Sequence, residues 1–557
     1  MDVGLQRRSI SPLIYGLSQG SPAQAQRMGV SLRRLGGNQF LRYNFANDTS
    51  NTAGDGYHYR NFVLAPDAGD TFSGQFVDST RSAGLVPWLQ LPVMGFVSKD
   101  SPAQAPFTCS FPVSVYGPQQ SVDPLDPDCG NGVFTDGGPV TGNSPFDTSV
   151  ATDAGYVRDV VAALVARFGQ ARDGGVSIYQ LGNQPGLWHE THRDVHPGRA
   201  TYEEVKAQLR EYGLAVKQAD PLAKTAGPAA WGWLEYFDSA NFDRQNYNDL
   251  EFLPYYLQQA ALIETASGKR VLDYLDIHAY PQGEVANPDG GVSLKVVSDD
   301  DSPTLNAMRL RSTRVLWDPT YTSETWEICC YDSVQRIIPR VRTWIAQQYP
   351  GTGLSISSYG WGGLSHVNGA LTQAEVLGIL GREGVDVATL DEVVPDNGVA
   401  EDAFALFRNF DGAGSQFGAT SVLASSDDAS TVSAFAAHDA SGRVTLVLIN
   451  KDPNFSQTAN VNFVGVGSMG PWRAYGFGAG GRLGPAGSGS VSGGALSVQL
   501  PAYTAWIVEF LPSGDPTDGG MMGSGGGAGG GGGGSGGGSA GGGSAGGGSA
   551  GGGSAGG

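Results

Sequence analysis

Residues 10 to about 395 alternate short apolar runs with helical patterns, and this alternation restricts the fold more than any other feature. Eight runs have the composition of strands: PLIYGL, VSLRRLG, LVPWLQLPV, VSIYQLG, KTAGPAA, LDYLDIHAY, LSISSYG and VDVATL. Between the third and fourth runs, six apolar residues recur at helical spacing: Val157, Val160, Val161, Leu164, Val165 and Phe168. After the fourth run, Thr201 and Glu204 have the spacing of a capping box. The pattern predicts an α/β fold, the (β/α)₈ TIM barrel.

A second unit is expected from residue 405 to 512, where alternating strands replace helices. TVSAFAAHDASGRVTLVLINKD consists of two alternating runs around Asp439-Ala440-Ser441-Gly442, which is a hairpin signal. ALSVQLPAYTAWIVEFL reads as another pair of strands, and the opening DVGLQRRS can add a strand. We therefore assign residues 10–404 to the barrel and 405–512 to a C-terminal all-β sandwich that residues 1–9 can join.

Residues 513–557 are expected to form a disordered Gly/Ser-rich tail. After Asp518 the chain carries no charge and repeats GGGSA almost without change. Such a segment cannot bury apolar surface, so it predicts a flexible tether. An expression linker has the same composition.

The charge of the chain limits its partners. The 557 residues carry a net charge of −20, the pI is about 4.7, and there is no cluster of Lys and Arg. Nucleic acid is excluded as a partner and polyanionic substrates are disfavoured, whereas neutral ligands are not. No apolar run is long enough to span a membrane, and the N-terminus lacks the apolar core of a signal peptide. A monomer is expected.

Polar and aromatic side chains collect where the predicted strands end, which is where barrels carry their chemistry. These residues follow the second strand (Asn38, Arg42, Asn44), the fourth (Asn183, Gln184, Trp188), the sixth (Asp276, His278, Tyr280, with Trp326 in the next loop) and the seventh (Ser358, Trp361). Each one alone is more often a packing or salt-bridging residue. Together at one end of a barrel, aromatic rings and amides are suited to stacking on and hydrogen-bonding a neutral sugar.

Seven longer motifs carry a resemblance to a known family: RRLGGNQFLRYNFANDTSN, PVMGFVSKD, LGNQPGLWHETHRDVHP, LDIHAYPQG, LWDPTYTSETW, SSYGWGGLSHVNGALTQAEVLGILGREGVDVATL and FGATSVLASSDDASTVSAFAAH. In this order they resemble glycoside hydrolase family 44, over nearly all of residues 10–511. The resemblance implies a retaining endo-β-1,4-glucanase or xyloglucanase with a barrel and a β-sandwich. It implies no cofactor, although a structural metal ion near the barrel is possible.

The same resemblance maps the two catalytic glutamates onto residues that are not carboxylates. The acid/base position is Gln184, the nucleophile position is Ser358, and a third position that usually carries a substrate-facing Trp is Asp391. Retaining hydrolysis needs two carboxyl groups about 5 Å apart. Gln184 has no proton to transfer, and Ser358 is short and neutral.

A small shift of the alignment does not restore either carboxylate. No Asp or Glu lies between Gly174 and His189 or between Gly351 and Ala374. Relocated carboxylates could come from Asp391, Glu392, Asp276 or Glu190. For Asp391 we favour the simpler interpretation, an exposed loop acid.

The cysteines and one acidic stretch suggest structural roles. Cys109 and Cys129 bracket a loop rich in Pro, Asp and Gly, where a disulfide would stabilise the fold, although two free thiols remain an equal alternative. Cys329 and Cys330 are adjacent and receive no assignment. Candidate ligands for a structural metal are Asp123, Asp126, Asp128 and Asp147. A disulfide would favour an extracellular or cell-surface protein whose leader is absent from this chain.

Three functions stay open. The first is a polysaccharide-binding protein of the family 44 type, with a cleft for neutral β-1,4-glucan or xyloglucan and hydrolysis lost or strongly impaired. The second is an active endo-glycosidase that uses relocated carboxylates. The third is an extracellular scaffold or adhesion protein on a flexible tether. An engineered inactive enzyme would explain Gln184 but not Ser358 and Asp391.

Overall fold

Eight parallel strands close into a barrel, which confirms the predicted fold class. The computed structural model describes residues 1–54, 58–65, 69–287, 289–465, 469–491 and 494–512, and the predicted tail of residues 513–557 lies outside them. The barrel strands are β1 (Gly16–Leu17), β2 (Leu32–Leu35), β3 (Val86–Leu91), β4 (Ile178–Leu181), β5 (Lys224–Ala230), β6 (Tyr274–Ala279), β7 (Gly353–Tyr359) and β8 (Val387–Leu390). Each strand pairs with its neighbours in the chain, and β8 pairs with β1 to close the ring.

Helices follow the strands in alternation. They are α1 (Pro22–Met28), α2 (Phe72–Ser82), α3 (Ala154–Phe168), α4 (Tyr202–Ala219), α5 (Phe252–Ser267), α6 (Pro303–Ser312), α7 (Ile337–Gln348), α8 (Val367–Glu383) and α9 (Val399–Arg408). Shorter helices are Val113–Tyr116 and Trp188–Thr191. Paired short strands in the loops are Thr49–Asn51 with Asn61–Val63, Phe96–Ser98 with Ser149–Ala151, Val122–Asp123 with Asp126–Gly130, and Glu284–Val285 with Leu294–Lys295.

The predicted helix signals act as expected at α3 and α4. Five of the six apolar residues of α3 are buried, and the Asp153 side chain caps its start by accepting from the backbone N–H of Tyr156. At α4 the Thr201 hydroxyl accepts from the N–H of Glu204, whereas the Glu204 carboxylate pairs with His196 Nε2 at 2.7 Å. The Thr201 half of the capping box therefore caps α4, whereas the Glu204 carboxylate binds a histidine in the loop before the helix.

The C-terminal unit is a β-sandwich. Its strands are β9 (Thr420–Val422), β10 (Val432–His438), β11 (Val444–Asn450), β12 (Gln457–Asn462), β13 (Met469–Gly478), β14 (Gly481–Ser490), β15 (Ala495–Leu500) and β16 (Thr504–Pro512). The larger sheet is antiparallel, in the order Arg8–Ser9, β9, β10, β11, β16, β13, β14, and the smaller one pairs β12 with β15. Arg8–Ser9 pairs with β9, and the turn at Asp439–Gly442 joins the paired strands β10 and β11.

The strands β15 and β16 form as expected but do not pair with each other. β15 alternates exposed and buried residues, and its buried side chains pack with those of β11 and β16 in one apolar cluster. Tyr503, between the two strands, has a positive φ of 54°. The chain turns there and crosses from one sheet to the other, so that both strands contribute to the same core.

The sandwich packs tightly on the barrel through the other face of its large sheet. Phe435, Val447 and Ile507 belong to the same buried cluster as the barrel core. Gly378 on α8 makes room for the Phe435 ring, since a Cβ there would lie 2.5 Å from Phe435 Cδ2. The predicted boundary at residue 404 falls inside the helix α9. We therefore propose that the barrel unit ends after this helix. Among the described residues no helix is long and apolar enough to span a membrane.

Candidate functional site

Gln184 leaves the end of β4 in a constrained turn. Its backbone lies in the left-handed region with φ 46°, and its N–H donates to the carbonyl of Ala229 at 2.9 Å. The side-chain Nε2 lies 3.0 Å from His278 Nδ1 on β6. Burial lowers the pKa of His278 well below its usual value, so the neutral imidazole can accept a hydrogen bond from the amide. The turn therefore fixes the position of Gln184 in the cleft.

Ser358 at the end of β7 is hydrogen-bonded on both sides. Its hydroxyl donates to Asp391 Oδ2 at 2.7 Å and also contacts the Tyr280 hydroxyl. The registers of β6 with β7 and of β7 with β8 both shift near this point. A bulge of this kind changes the direction of one side chain at a strand end. It lets Ser358 reach Tyr280 and Asp391 together.

Arg34 on β2 is a buried cation beneath these two positions. It donates to Gln180 Oε1 at 2.8 Å and to Asn183 Oδ1 at 3.2 Å, and its Nη1 lies 3.8 Å from Asp391 Oδ2. Asn183 in turn donates to Asn38 Oδ1 at 2.9 Å. Hydrogen bonds connect the ends of β2 and β4, and a longer charge contact links them to the residue after β8.

The four candidates for relocated carboxylates have different surroundings. Glu190 is exposed, and Asp276 is buried below the cleft, where it accepts from the Ser355 hydroxyl and the Ser357 N–H. Glu392 accepts from the N–H of Gly362. Asp391 is not the exposed loop acid that we favoured, because its side chain is 21% exposed and bound to Ser358. Of the four, Asp391 is the one in direct contact with a predicted catalytic position.

Several predicted sugar-binding residues are packed into the protein. Trp188 and Trp361 are 1% and 4% exposed, and their indole N–H groups donate to the Asn183 carbonyl and to Ser312. Arg42 is buried in an ion pair of 2.8 Å with Asp194. Asn44 is buried as well, bonded to the Ser98 carbonyl. We therefore do not propose these four side chains as sugar contacts.

Trp326, which is exposed, and Trp231, which is half-buried, provide an aromatic surface at the cleft. Trp326 is 55% exposed, and its ring stacks on that of Trp231 with centroids 6.4 Å apart and planes 20° apart. Trp231 was not among the predicted site residues, although it follows the fifth strand directly. Its backbone N–H donates to the buried Glu235, whose other oxygen accepts from Gly186 N at 2.6 Å. Glu235 therefore ties the Gln184 turn to the Trp231 loop.

Four carboxyl groups near the cleft, three of them buried and Glu392 half-buried, have raised pKa values, because removal from water disfavours their charged form. The pKa is about 8 for Glu235, about 7 for Glu327, about 8 for Glu392 and about 6 for Asp276. Such a group stabilises the fold fully below its unfolded-state pKa, and this contribution is lost as the pH rises through the folded-state pKa.

We therefore expect the free energy of unfolding to fall between about pH 5 and about pH 8, by on the order of several kcal/mol. Chemical denaturation at several pH values measures this slope. Glu327→Gln removes one titrating group and should make the slope shallower, with Asp427→Asn on the exposed sandwich surface as the control. A stability that stays level or rises over this range would contradict the expectation.

The cysteines form two disulfides, Cys109–Cys129 and Cys329–Cys330. The first joins residues whose Cα atoms lie 5.6 Å apart in the loop region after β3. The candidate metal ligands are occupied by protein donors: Asp123 by Arg60, Asp126 by the N–H of Phe107, Asp128 by Ser114 and Asp147 by the N–H of Ser144. Within the part of the chain that the structure describes, no cluster of His, Cys, Asp or Glu could hold a metal ion.

Comparison of the sequence with known proteins finds a family model and two relatives named as endoglucanases. Residues 49–283 match the family model described as glycoside hydrolase family 44. The chain is 31% identical over 477 residues to endoglucanase A of Paenibacillus lautus, covering 82% of this chain and 64% of that protein. It is 28% identical over 502 residues to the beta-mannanase/endoglucanase A of Caldicellulosiruptor saccharolyticus, covering 85% and 35%. The chain thus spans less than two thirds of the length of these two relatives.

Comparison with solved structures extends the likeness to the barrel and the sandwich. The bifunctional glucanase-xylanase CelM2, from a metagenome library, has a TM-score of 0.85 and 34% identity, covering 91% of this chain and 98% of that one. The family 44 xyloglucanase of Paenibacillus polymyxa has a TM-score of 0.76 and 27% identity, covering 92% and 98%. Glycoside hydrolases of this family are typically independent of cofactors. These matches confirm the resemblance read from the motifs: the chain belongs to glycoside hydrolase family 44.

Proposed function

We propose that this chain binds neutral β-1,4-glucan or xyloglucan-type polysaccharide at the mouth of its barrel and hydrolyses it poorly. The family membership supports a polysaccharide ligand, and the relatives include a xyloglucanase and endoglucanases. The net charge of −20 favours a neutral glycan over an acidic one.

The observation that carries the proposal is the amide at position 184. Departure of a sugar alkoxide from an ordinary glycosidic bond needs a proton from a positioned acid. Gln184 is held by neutral His278 and has no proton to transfer. The Gln184 amide can hydrogen-bond a glycosidic oxygen without protonating it, so binding should persist where cleavage is slow.

Calorimetric titration with cello-oligomers and with xyloglucan oligomers, beside a reducing-sugar assay on the polymers, tests the proposal. Binding at millimolar or lower concentration, with release far below that of an active family 44 enzyme, is the expected result. Rapid release by the unmodified chain would contradict the impaired activity. Absence of any titration would contradict the glycan-binding cleft.

Trp326→Ala is expected to weaken cello-oligomer binding by roughly fivefold to tenfold, because an exposed stacked ring is lost from the cleft. The matched control is Phe455→Ala, which removes a ring that is 68% exposed on the sandwich. Titration of both variants against the same oligomer gives the comparison. Equal affinities for Trp326→Ala and the unmodified chain would exclude this ring as a sugar contact.

We further propose that the protein acts outside the cell. Family 44 enzymes are generally extracellular. Two disulfides in a chain of this kind fit an oxidising compartment.

A further inference from the structure

Three donors of the cleft converge on one oxygen of Asp391. Oδ2 lies 2.7 Å from Ser358 Oγ, 3.4 Å from the Tyr280 hydroxyl and 3.8 Å from Arg34 Nη1. The N–H of Asp391 donates to the Tyr359 carbonyl at 3.0 Å, which ties the start of the loop after β8 to β7.

The Asp391 carboxylate reaches about as far from β7 as a glutamate at position 358 would. Ordinary bond lengths place the carboxylate oxygens of a glutamate about 3–3.7 Å from Cβ, and the serine hydroxyl lies about 1.4 Å from Cβ. Asp391 Oδ2 lies 2.7 Å from that hydroxyl, and therefore at most about 4 Å from the Ser358 Cβ. The loop after β8 therefore supplies a carboxylate at about the distance from β7 at which a glutamate at position 358 would carry its own.

The Asp391 carboxylate and Gln184 are linked through the end of β6. His278 contacts Gln184, and Tyr280, two residues later, contacts Asp391. The ring centroids of His278 and Tyr280 are 6.4 Å apart. The Gln184 amide and the Asp391 carboxylate therefore each contact a side chain at the end of the same strand.

We propose that Asp391 is the nucleophile of this cleft. This rests on the proposed function, since a β-glucan unit must occupy the barrel mouth. Asp391 Oδ2 attacks the anomeric carbon and forms a glycosyl ester, while the bond to the leaving group breaks and its electron pair departs with that group. A leaving group that is stable as an anion, such as a dinitrophenolate, needs no proton from position 184.

The second step is expected to be slow. Water must attack the anomeric carbon of the ester, release the Asp391 carboxylate and give up a proton. Gln184 cannot accept that proton, so it must pass to solvent without the help of a positioned base. The ester therefore accumulates. Azide carries no proton to lose, and its attack on the ester should release a β-glycosyl azide.

The test uses 2,4-dinitrophenyl β-cellobioside and the full chain. We expect a burst of about one equivalent of dinitrophenolate followed by slow turnover, with intact mass showing one added cellobiosyl group. Peptide mapping should place that group on Asp391, and azide should speed turnover. Asp391→Asn should slow the burst on the order of 10³-fold or more. The matched control, Asp427→Asn on the exposed sandwich surface, should keep it.

Ser358→Ala provides a variant that retains the carboxylate. It should give a slower burst, because a hydrogen bond that positions the Asp391 carboxylate is lost, while the adduct should still form on Asp391. Loss of the adduct in a folded Ser358→Ala chain, an adduct on Tyr280 or Ser358, or an α-configured product would each overturn the proposal. So would an equal burst from Asp391→Asn.

Cello-oligomer titration of each variant separates this proposal from the proposed function. If the unmodified chain and Asp391→Asn bind oligomers and neither forms an adduct, Asp391 is not a nucleophile and the glycan-binding cleft stands. If the unmodified chain neither binds nor forms an adduct, both proposals fail.

Discussion

Gln184→Glu alone should raise the hydrolysis of unactivated cello-oligomers and β-glucan by about 10²–10⁴-fold, the usual contribution of a general acid–base group. The variant adds the proton donor that the cleft lacks, and Asp391 already provides a carboxylate bound by Ser358. A protonated glutamate can donate to His278 Nδ1 in place of the amide. The restored acid would also act as the base for the second step.

Reducing-sugar release measures this gain, with Gln184→Ala as the control that removes the amide without adding an acid. Adding Asp391→Asn to Gln184→Glu should abolish the gain. If Gln184→Glu is folded and inactive while Gln184→Glu/Ser358→Glu is active, the nucleophile must come from β7 and not from the loop after β8.

Arg309→Met should lower the free energy of unfolding by at least about 3 kcal/mol, because it leaves several buried carbonyl groups without a donor. The guanidinium is fully buried, and burial lowers its pKa. Among the described residues it makes no ion pair. It donates instead to six neutral oxygens: the carbonyls of Val296, Ser298, Asp300 and Trp361, and the side chains of Asn306 and Asn368.

Chemical denaturation of Arg309→Met and Arg309→Lys gives the comparison. Lysine keeps the charge but has three donors in place of five, so its loss should be smaller than that of methionine yet still measurable. A change below about 1 kcal/mol for Arg309→Met would mean that water replaces the guanidinium at these carbonyls.

The architecture could be predicted from the sequence because the spacing of apolar residues marks the side of each helix or strand that is buried. The strand KTAGPAA coincides with β5, and five of the six predicted apolar positions of α3 are buried. The partners of β15 and β16 could not be read in this way. Alternation shows which residues of a strand face the core, but it does not show which other strand it pairs with in a sheet.

The location of the cleft could be predicted from the sequence, but the contacts between its side chains could not. The strand ends bring Gln184, His278, Tyr280 and Ser358 together, whereas Trp188 and Trp361 turn inward. Strand spacing cannot indicate which aromatic ring stays exposed. The contact between Asp391 and Ser358 depends on register shifts in β7, and these leave no mark in the alternation. Arg34 was visible in RRLGG but could not be distinguished from its neighbour Arg33.

The short strand Arg8–Ser9 has a consequence for the order in which the chain can fold during synthesis. It pairs with β9, in the same sheet that ends with β13, β14 and β16. The barrel is therefore inserted between the first strand of that sheet and all the others. On the ribosome, residues 8 and 9 emerge early and must wait for more than four hundred residues before Thr420 and Ser421 reach them. The barrel can form first, and the sandwich then closes on it and joins the two ends of the folded chain.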